Sequence, residues 1–242
     1  MKARKAKIND VPALRELFAA LLDAAMADYK NNGGQVSISR DNIKLCGVAS
    51  VSLLPFITCP DVCRGACAGK CYAAKIAALR PSVRAAYARN TAIFLTDPAA
   101  YFGAIRYFCA GVRYFRWHVS GDIPSGDIGR DYFAHMVDIA RAVPGCNFLA
   151  FTKRCGIVND WIAANGGTAA ALPVNLHVIF SNWGAAFKSV NPYGLPVSEV
   201  VFTGETPADD WKLCGGNCYD CACRGVGCWE LKPGETIAFL EH

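Results

Sequence analysis

Val112-Arg113-Tyr114-Phe115-Arg116-Trp117-His118-Val119-Ser120-Gly121-Asp122 reads as a strand that runs into a polar, glycine-bearing turn. The downstream chain repeats the theme. Residues 132–143 have helical spacing, 146–152 are strand-like, 158–165 are helical, and 176–180 and 199–202 are two more short strands. Upstream, Gly47 to Leu54 reads as a first strand closed by Pro55. A helical region then runs from about Pro81 to Gly111, with a break at Asp97-Pro98. Strands alternating with helices predict an α/β fold, either a parallel sheet or a partial (β/α) barrel of mainly parallel strands. At the start of the chain, Asn9-Asp10-Val11-Pro12 predicts a capped helix that stops at Asn31-Asn32-Gly33-Gly34. Residues 1–40 are therefore expected to form a helix and linker, and residues 41–242 a single α/β domain.

The residues at the strand ends point to a site. His118 to Asp122 close one strand, Phe151-Thr152-Lys153-Arg154 a second, Ser181-Asn182-Trp183 a third, and Thr203-Gly204-Glu205 a fourth. In parallel α/β sheets and barrels the carboxyl ends of strands carry the site. Four polar strand ends are expected to form one rim of one pocket. The two-residue period of a strand puts His118 and Ser120 on the same side. A histidine beside an apolar strand is commonly a satisfied core residue, but the Ser-Gly-Asp turn favours the pocket for both.

With 242 residues, 53% of them hydrophobic, the chain can bury one sizeable core. The net charge of +5 permits a nucleic-acid or other anionic partner without requiring one. The basic start, residues 2–7, is too short for a nucleic-acid arm and reads as a solvated tail. No stretch has the length of a membrane-spanning helix and no signal-peptide core is present, so a reducing, cytoplasmic compartment and no membrane partner are expected. There, thirteen cysteines are poor candidates for disulfides.

The cysteines are bunched. Cys59, Cys63, Cys67 and Cys71 recur every four residues, and a regular helix through them would be about 18 Å long. No single centre spans that distance, so the segment must fold back, as Pro60, Gly65 and Gly69 allow. The second group is Cys214, Cys218, Cys221, Cys223 and Cys228, again set among glycines. Zinc takes four such ligands, whereas a four-iron (4Fe-4S) iron–sulfur cluster takes four, or three with one iron open. Spacing alone does not choose. Cys46, Cys109, Cys146 and Cys155 read as small hydrophobes, with Cys155 near enough to the second strand end to line the pocket.

Several segments together resemble the phage "gene product eighty-eight" family: Ser52-Leu53-Leu54-Pro55, Thr58-Cys59-Pro60, Cys67, and Cys71-Tyr72-Ala73. The resemblance continues through Arg116, His118 and Ser120-Gly121-Asp122 to Phe151-Thr152-Lys153, and ends at Cys218, Cys221, Cys228-Trp229 and His242. That family in turn resembles the radical S-adenosylmethionine (SAM) enzymes, which use a partial barrel with a three-cysteine loop after the first strand. The loop here differs, with three residues in both gaps of Cys63, Cys67 and Cys71, Lys70 before the last cysteine and Tyr72 after it.

The resemblance implies a three-thiolate iron–sulfur cluster whose open iron binds the amino-acid end of SAM. Ser120, Gly121 and Asp122 would then stand at the methionine amino group. Lys153 or Arg154 would receive the carboxylate, and Asn182 and Glu205 the ribose hydroxyls. His118, Asp122 and Lys153 are the candidate catalytic residues, and the substrate would be a small molecule, a nucleotide or a nucleic acid. The competing expectation is a non-catalytic binding protein with structural zinc or iron–sulfur sites. No nucleophile elbow, phosphate-binding glycine loop or zinc-hydrolase histidine pair occurs.

Overall fold

The computed structural model describes residues 10–40 and 45–241. The basic tail, Asn9 and the terminal His242 lie outside the described residues. Helix α1 (Val11–Asn32) starts where Asp10 accepts the Ala13 amide at 3.0 Å, and it stops at Gly33, whose φ is 66°. Leu14, Phe18 and Leu22 bury its apolar stripe against Ala88 and Ala92.

Strand β1 (Ala49–Val51) leads into the first cysteine segment. That segment is broken, as expected of a chain that must fold back. It has a four-residue helix, α2 (Val62–Gly65), a 3-10 turn over Ala68–Lys70, and then α3 (Tyr72–Leu79) with Cys71 at its cap. Helices α4 (Pro81–Thr96) and α5 (Pro98–Cys109) follow. Asp97 separates them, ending one helix and capping the next through the Ala100 amide at 2.9 Å.

From β2 (Tyr114–Trp117) the chain alternates through α6 (Gly126–Ala142), β3 (Asn147–Thr152), α7 (Cys155–Ala164) and β4 (Leu176–Ser181). It then runs through β5 (Val197–Val201), β6 (Lys212–Leu213), α8 (Cys218–Cys223) and β7 (Thr236–Leu240). The seven strands make one sheet in the order β1-β2-β3-β4-β5-β7-β6, and every pairing between them is parallel. The sheet is open.

The two faces of the sheet differ. Phe115, Trp117, Phe148, Ala150, Val178 and Phe180 point outward into the main core with Phe102, Ile105, Tyr132 and Phe133 of α5 and α6. The alternate positions, Ser50, Arg116, Phe151, Ser181, Ser198, Val200 and Phe239, all line one cavity of about 800 Å³. Six of the seven strands contribute to it. Bulky branched side chains fill the interior of a closed barrel, whereas serines at three of these inward positions leave space.

No described helix is long and apolar enough to cross a membrane.

Candidate functional site

The exit of β1 is clamped. Buried Asn90 of α4 donates to the carbonyls of Ser37 (2.9 Å) and Ser52 (3.0 Å) and accepts from the Ser37 amide (2.7 Å). Its neighbour Thr91 accepts from the Leu54 amide at 2.9 Å. The chain is therefore fixed just before it enters the cysteine segment.

The Ser120-Gly121-Asp122 turn fixes the next stretch. The Leu53 amide donates to the Ser120 carbonyl (3.0 Å), and the Asp122 amide donates to Thr58 Oγ1 (3.2 Å). Gly121 has φ 77°, and a Cβ there would lie 2.6 Å from Thr58 Oγ1 and 2.8 Å from Leu53 Cβ. Only glycine fits this approach. The Asp122 carboxylate accepts from Thr152 Oγ1 (2.6 Å) and the Ile123 (2.7 Å) and Lys153 (2.9 Å) amides, which ties the β2 and β3 ends together. Burial raises its pKa, and the bonds from Thr152 and Lys153 oppose the rise.

At the mouth, Cys67 and Cys71 line the cavity. The Cys63 thiol is within hydrogen-bonding reach of both Cys59 and Cys67, and the contact with Cys59 is the largest cause pushing its pKa up to about 12. Cys67 is raised too, first by Cys63 and then by burial. Burial raises Cys71, whose sulfur accepts from the Ala74 amide at 3.4 Å. Lys153 opposes the rise at all three thiols, Cys63, Cys67 and Cys71. Its ammonium donates to Ser181 Oγ (2.9 Å) and lies 5.7 Å from the Trp183 ring centroid. Lys70 spans the mouth, pairing with Glu241 at the end of β7 and lying 5.1 Å from the Phe202 ring centroid.

The second cysteine group packs behind the Arg116 and Phe151 lining of the cavity. Cys218, Cys221 and Cys228 pack against Leu45, Val48, Leu149, Ile179 and Trp229. Arg116 lines the cavity, stacks over Phe151 at 4.8 Å and donates to Cys218 Sγ at 3.8 Å. None of the thirteen cysteines is in a disulfide. Among the described residues, no three His, Cys, Asp or Glu side chains are set as they stand to hold one metal ion. The thiols of each group are neighbours without converging on a point.

Other residues expected at the rim take different positions. His118 and Ser120 do not face the pocket. The His118 ring turns to α6, where Nε2 meets Tyr132 Oη at 2.8 Å, and burial lowers its pKa to about 3. Ser120 is buried, and its hydroxyl has no partner. Asn182 is held in a buried network, donating to Glu199 (3.2 Å) and accepting from the Ser189 amide (2.7 Å). Glu205 is exposed and accepts from the Phe202 amide at 2.9 Å. Arg154 donates to the Ile123 and Thr58 carbonyls, behind the cysteine segment. Cys223 is exposed. Arg116, Lys70 and Glu241, which strand-end reasoning did not single out, are at the cavity. Of the three, only Arg116 carries a sequence signal, both as part of the family resemblance and as a lone arginine between Phe115 and Trp117 in an apolar strand.

An open parallel sheet with thiols lining one end of a cavity, and a second thiol group packed behind its Arg116 and Phe151 lining, defines the class: an α/β protein built around two cysteine-rich segments. The chain belongs to the phage protein family Gene product 88, which matches it over residues 20–228. No curated protein and no solved structure matches it.

Proposed function

We propose that this protein is an iron–sulfur enzyme of radical-SAM type, a partial (β/α) barrel with a four-iron cluster on Cys63, Cys67 and Cys71. The observation that carries this reading is that Cys67 and Cys71 line the C-terminal mouth of a cavity of about 800 Å³, with the Cys63 thiol in contact with Cys67 and Lys153 as a shared electrostatic neighbour of all three. Soft thiolates suit iron–sulfur centres, and the broken backbone from Val62 to Lys70 lets the side chains turn toward a common centre. Cys63, Cys67 and Cys71 would hold the cluster, and with SAM and an electron from an external reductant it would supply radical hydrogen-abstraction chemistry.

The chain's own residues position and exclude. Lys153, steadied by Ser181 and Trp183, is the cation for a carboxylate at the mouth. Asp122 and Gly121 act behind it, holding the cysteine segment against β2 and β3. The volume falls within the usual range for small-molecule sites. Its lining of serines, aromatic rings and the cations Lys75 and Arg116 favours an anionic, hydroxyl-bearing substrate of nucleotide class.

The test is anaerobic purification, followed by iron, sulfide and zinc analysis and EPR of the dithionite-reduced protein with and without SAM. Iron with matching sulfide is expected, with an EPR signal that SAM perturbs and that Lys153→Met renders insensitive to SAM. Zinc without iron would replace this reading with a metal-stapled binding protein.

A further inference from the structure

We infer that Cys214, Cys218, Cys221 and Cys228, without Cys223, form a second metal site, a closed four-thiolate centre that staples the C-terminal segment to the floor of the cavity. The inference is independent of the reading given to the mouth.

Local geometry selects the four. Asn217 caps α8 by accepting the Asp220 amide at 2.9 Å, and this sets the phase of the short helix. At 3.6 residues per turn, Cys218 and Cys221 share a face, while Cys223 is turned roughly 200° from Cys221. Accordingly Cys223 is exposed and its partner is Tyr219, whereas Cys218 and Cys221 pack inward with Cys228. Gly227, at φ 66°, brings the chain back so closely that a Cβ would lie 3.3 Å from Cys221 Sγ. Gly215 also adjoins this sulfur, at an ordinary contact distance of 3.8 Å for a Cβ placed there. Glycine at 227 therefore lets Cys228 approach Cys221, while Gly215 sets the segment next to Cys214 against the same sulfur. Cys214 is itself fixed at the sheet edge by its amide bond to the Ala238 carbonyl at 3.0 Å. The Cys228 thiol has Cys214, Cys218 and Cys221 all as electrostatic neighbours.

The surroundings suit a charged centre. A divalent ion on four thiolates carries a net charge of −2, and the Arg116 guanidinium, 3.8 Å from Cys218 Sγ, is the compensating cation. Its Nε is buried and has no hydrogen-bond partner. Trp229 Nε1 donates to the Cys218 carbonyl (3.1 Å) and Tyr114 Oη to the Ala222 carbonyl (3.1 Å), so the segment is held from both sides of the thiols. Cys46 also adjoins Cys218 and is assigned as a neighbour outside the ligand set.

Two measurements test this. The first is zinc, iron and sulfide content of the triple variant Cys63→Ser/Cys67→Ser/Cys71→Ser, which removes the mouth thiols. One zinc, or an iron–sulfur centre, is expected to remain per chain. It should persist on adding Cys223→Ser or Cys46→Ser and vanish on adding Cys218→Ser. A metal-free triple variant, or equal loss with Cys223→Ser and Cys218→Ser, overturns the inference. A triple variant with the same metal content as the unaltered protein counts instead against the reading of the mouth. The second measurement needs no variant: iodoacetamide labelling of the unaltered protein, mapped by mass spectrometry with and without a chelator. Cys223 should label at once, and Cys214, Cys218, Cys221 and Cys228 together only after chelation. Labelling of these four that ignores the chelator also overturns the inference.

Discussion

Replacing His118 by Asn should flatten the acid limb of the protein's stability profile. In the folded chain the imidazole is buried between Trp117 and Tyr132, and desolvation lowers its pKa from 6.5 to about 3. The titratable groups around it are Tyr132 and Tyr101, both raised by burial, and Asp122 beyond Tyr132. Among the described residues, no anion compensates a proton on the ring. Between pH 6.5 and 3 the unfolded chain therefore takes up a proton that the folded chain refuses. Stability at this position is complete above 6.5 and is lost as the pH falls toward 3. The gap between those two values, at about 1.4 kcal/mol per pH unit, corresponds to about 5 kcal/mol at the acid end. Asn tolerates the left-handed backbone at this position, where φ is 52°. It also removes one of the two hydrogen bonds at the Tyr132 hydroxyl, which keeps Tyr101, at a pH-independent cost of about 0.5–1.5 kcal/mol. The readout is therefore the slope and not the offset. Urea titrations at pH 4.5 and 6.5 should show the unaltered protein losing about 2–3 kcal/mol more than His118→Asn over that interval. Parallel profiles would mean that the imidazole is charged in the folded state, and the assignment of His118 as a neutral core residue would fail.

Gly121→Ala should cost about 3 kcal/mol, combining left-handed strain with overpacking against Thr58 and Leu53. Gly126→Ala is its control, because φ there is 68° but nothing lies within 4 Å of the added Cβ, so only the strain of about 1 kcal/mol applies. Thermal unfolding that ranks the two variants equally would contradict the close approach of the Ser-Gly-Asp turn to the β1 exit. Asn90→Ala removes three hydrogen bonds at that exit, one buried and two part-buried, and should cost about 2–4 kcal/mol by denaturant titration. It should also increase hydrogen exchange at the Ser37 amide; unchanged exchange there would remove Asn90 from its role as clamp.

Much of the fold was legible because its signals are local. Asp97-Pro98 announced a break between two helices, and the same aspartate caps the second. The alternation of apolar positions from 112 to 180 located three parallel strands to within about two residues. Elements hidden by composition were missed. The glycines and cysteines around α3 and α8 masked them as loop, and β6 has only two residues. The side taken by His118 was misread for a definite reason. The two-residue alternation ends at Trp117, and the left-handed turn at His118 swings its ring to the same side as the Trp117 indole, so both rings meet Tyr132. The cavity was only half legible. Polar strand ends correctly marked the carboxyl edge, and Lys153 and Ser181 meet there. Arg116, Lys70 and Glu241 come together from positions far apart in sequence, and only the strand order brings them to one space.

The distribution of side chains across the sheet links the fold to its chemistry. On the outer face, aromatic and aliphatic residues meet α5 and α6 in the main core, so stability is concentrated there. On the inner face, Ser50, Ser181 and Ser198 do not supply comparable burial, and Leu149 and Ile179 are covered only near the floor, where Trp229 and the C-terminal cysteines pack on them. The open sheet therefore needs its inner face held by something other than a packed core. At the mouth, Lys70 ties the first cysteine segment to β7 through Glu241. At the floor, α8 reaches from the edge strand β6 to Tyr114 of β2 through its Ala222 carbonyl. Each cysteine segment thus bridges strands that the sheet does not pair, one at the mouth of the cavity and one behind its lining. A metal centre at the floor would hold the sheet around a space that apolar side chains leave open, and one at the mouth would face that space.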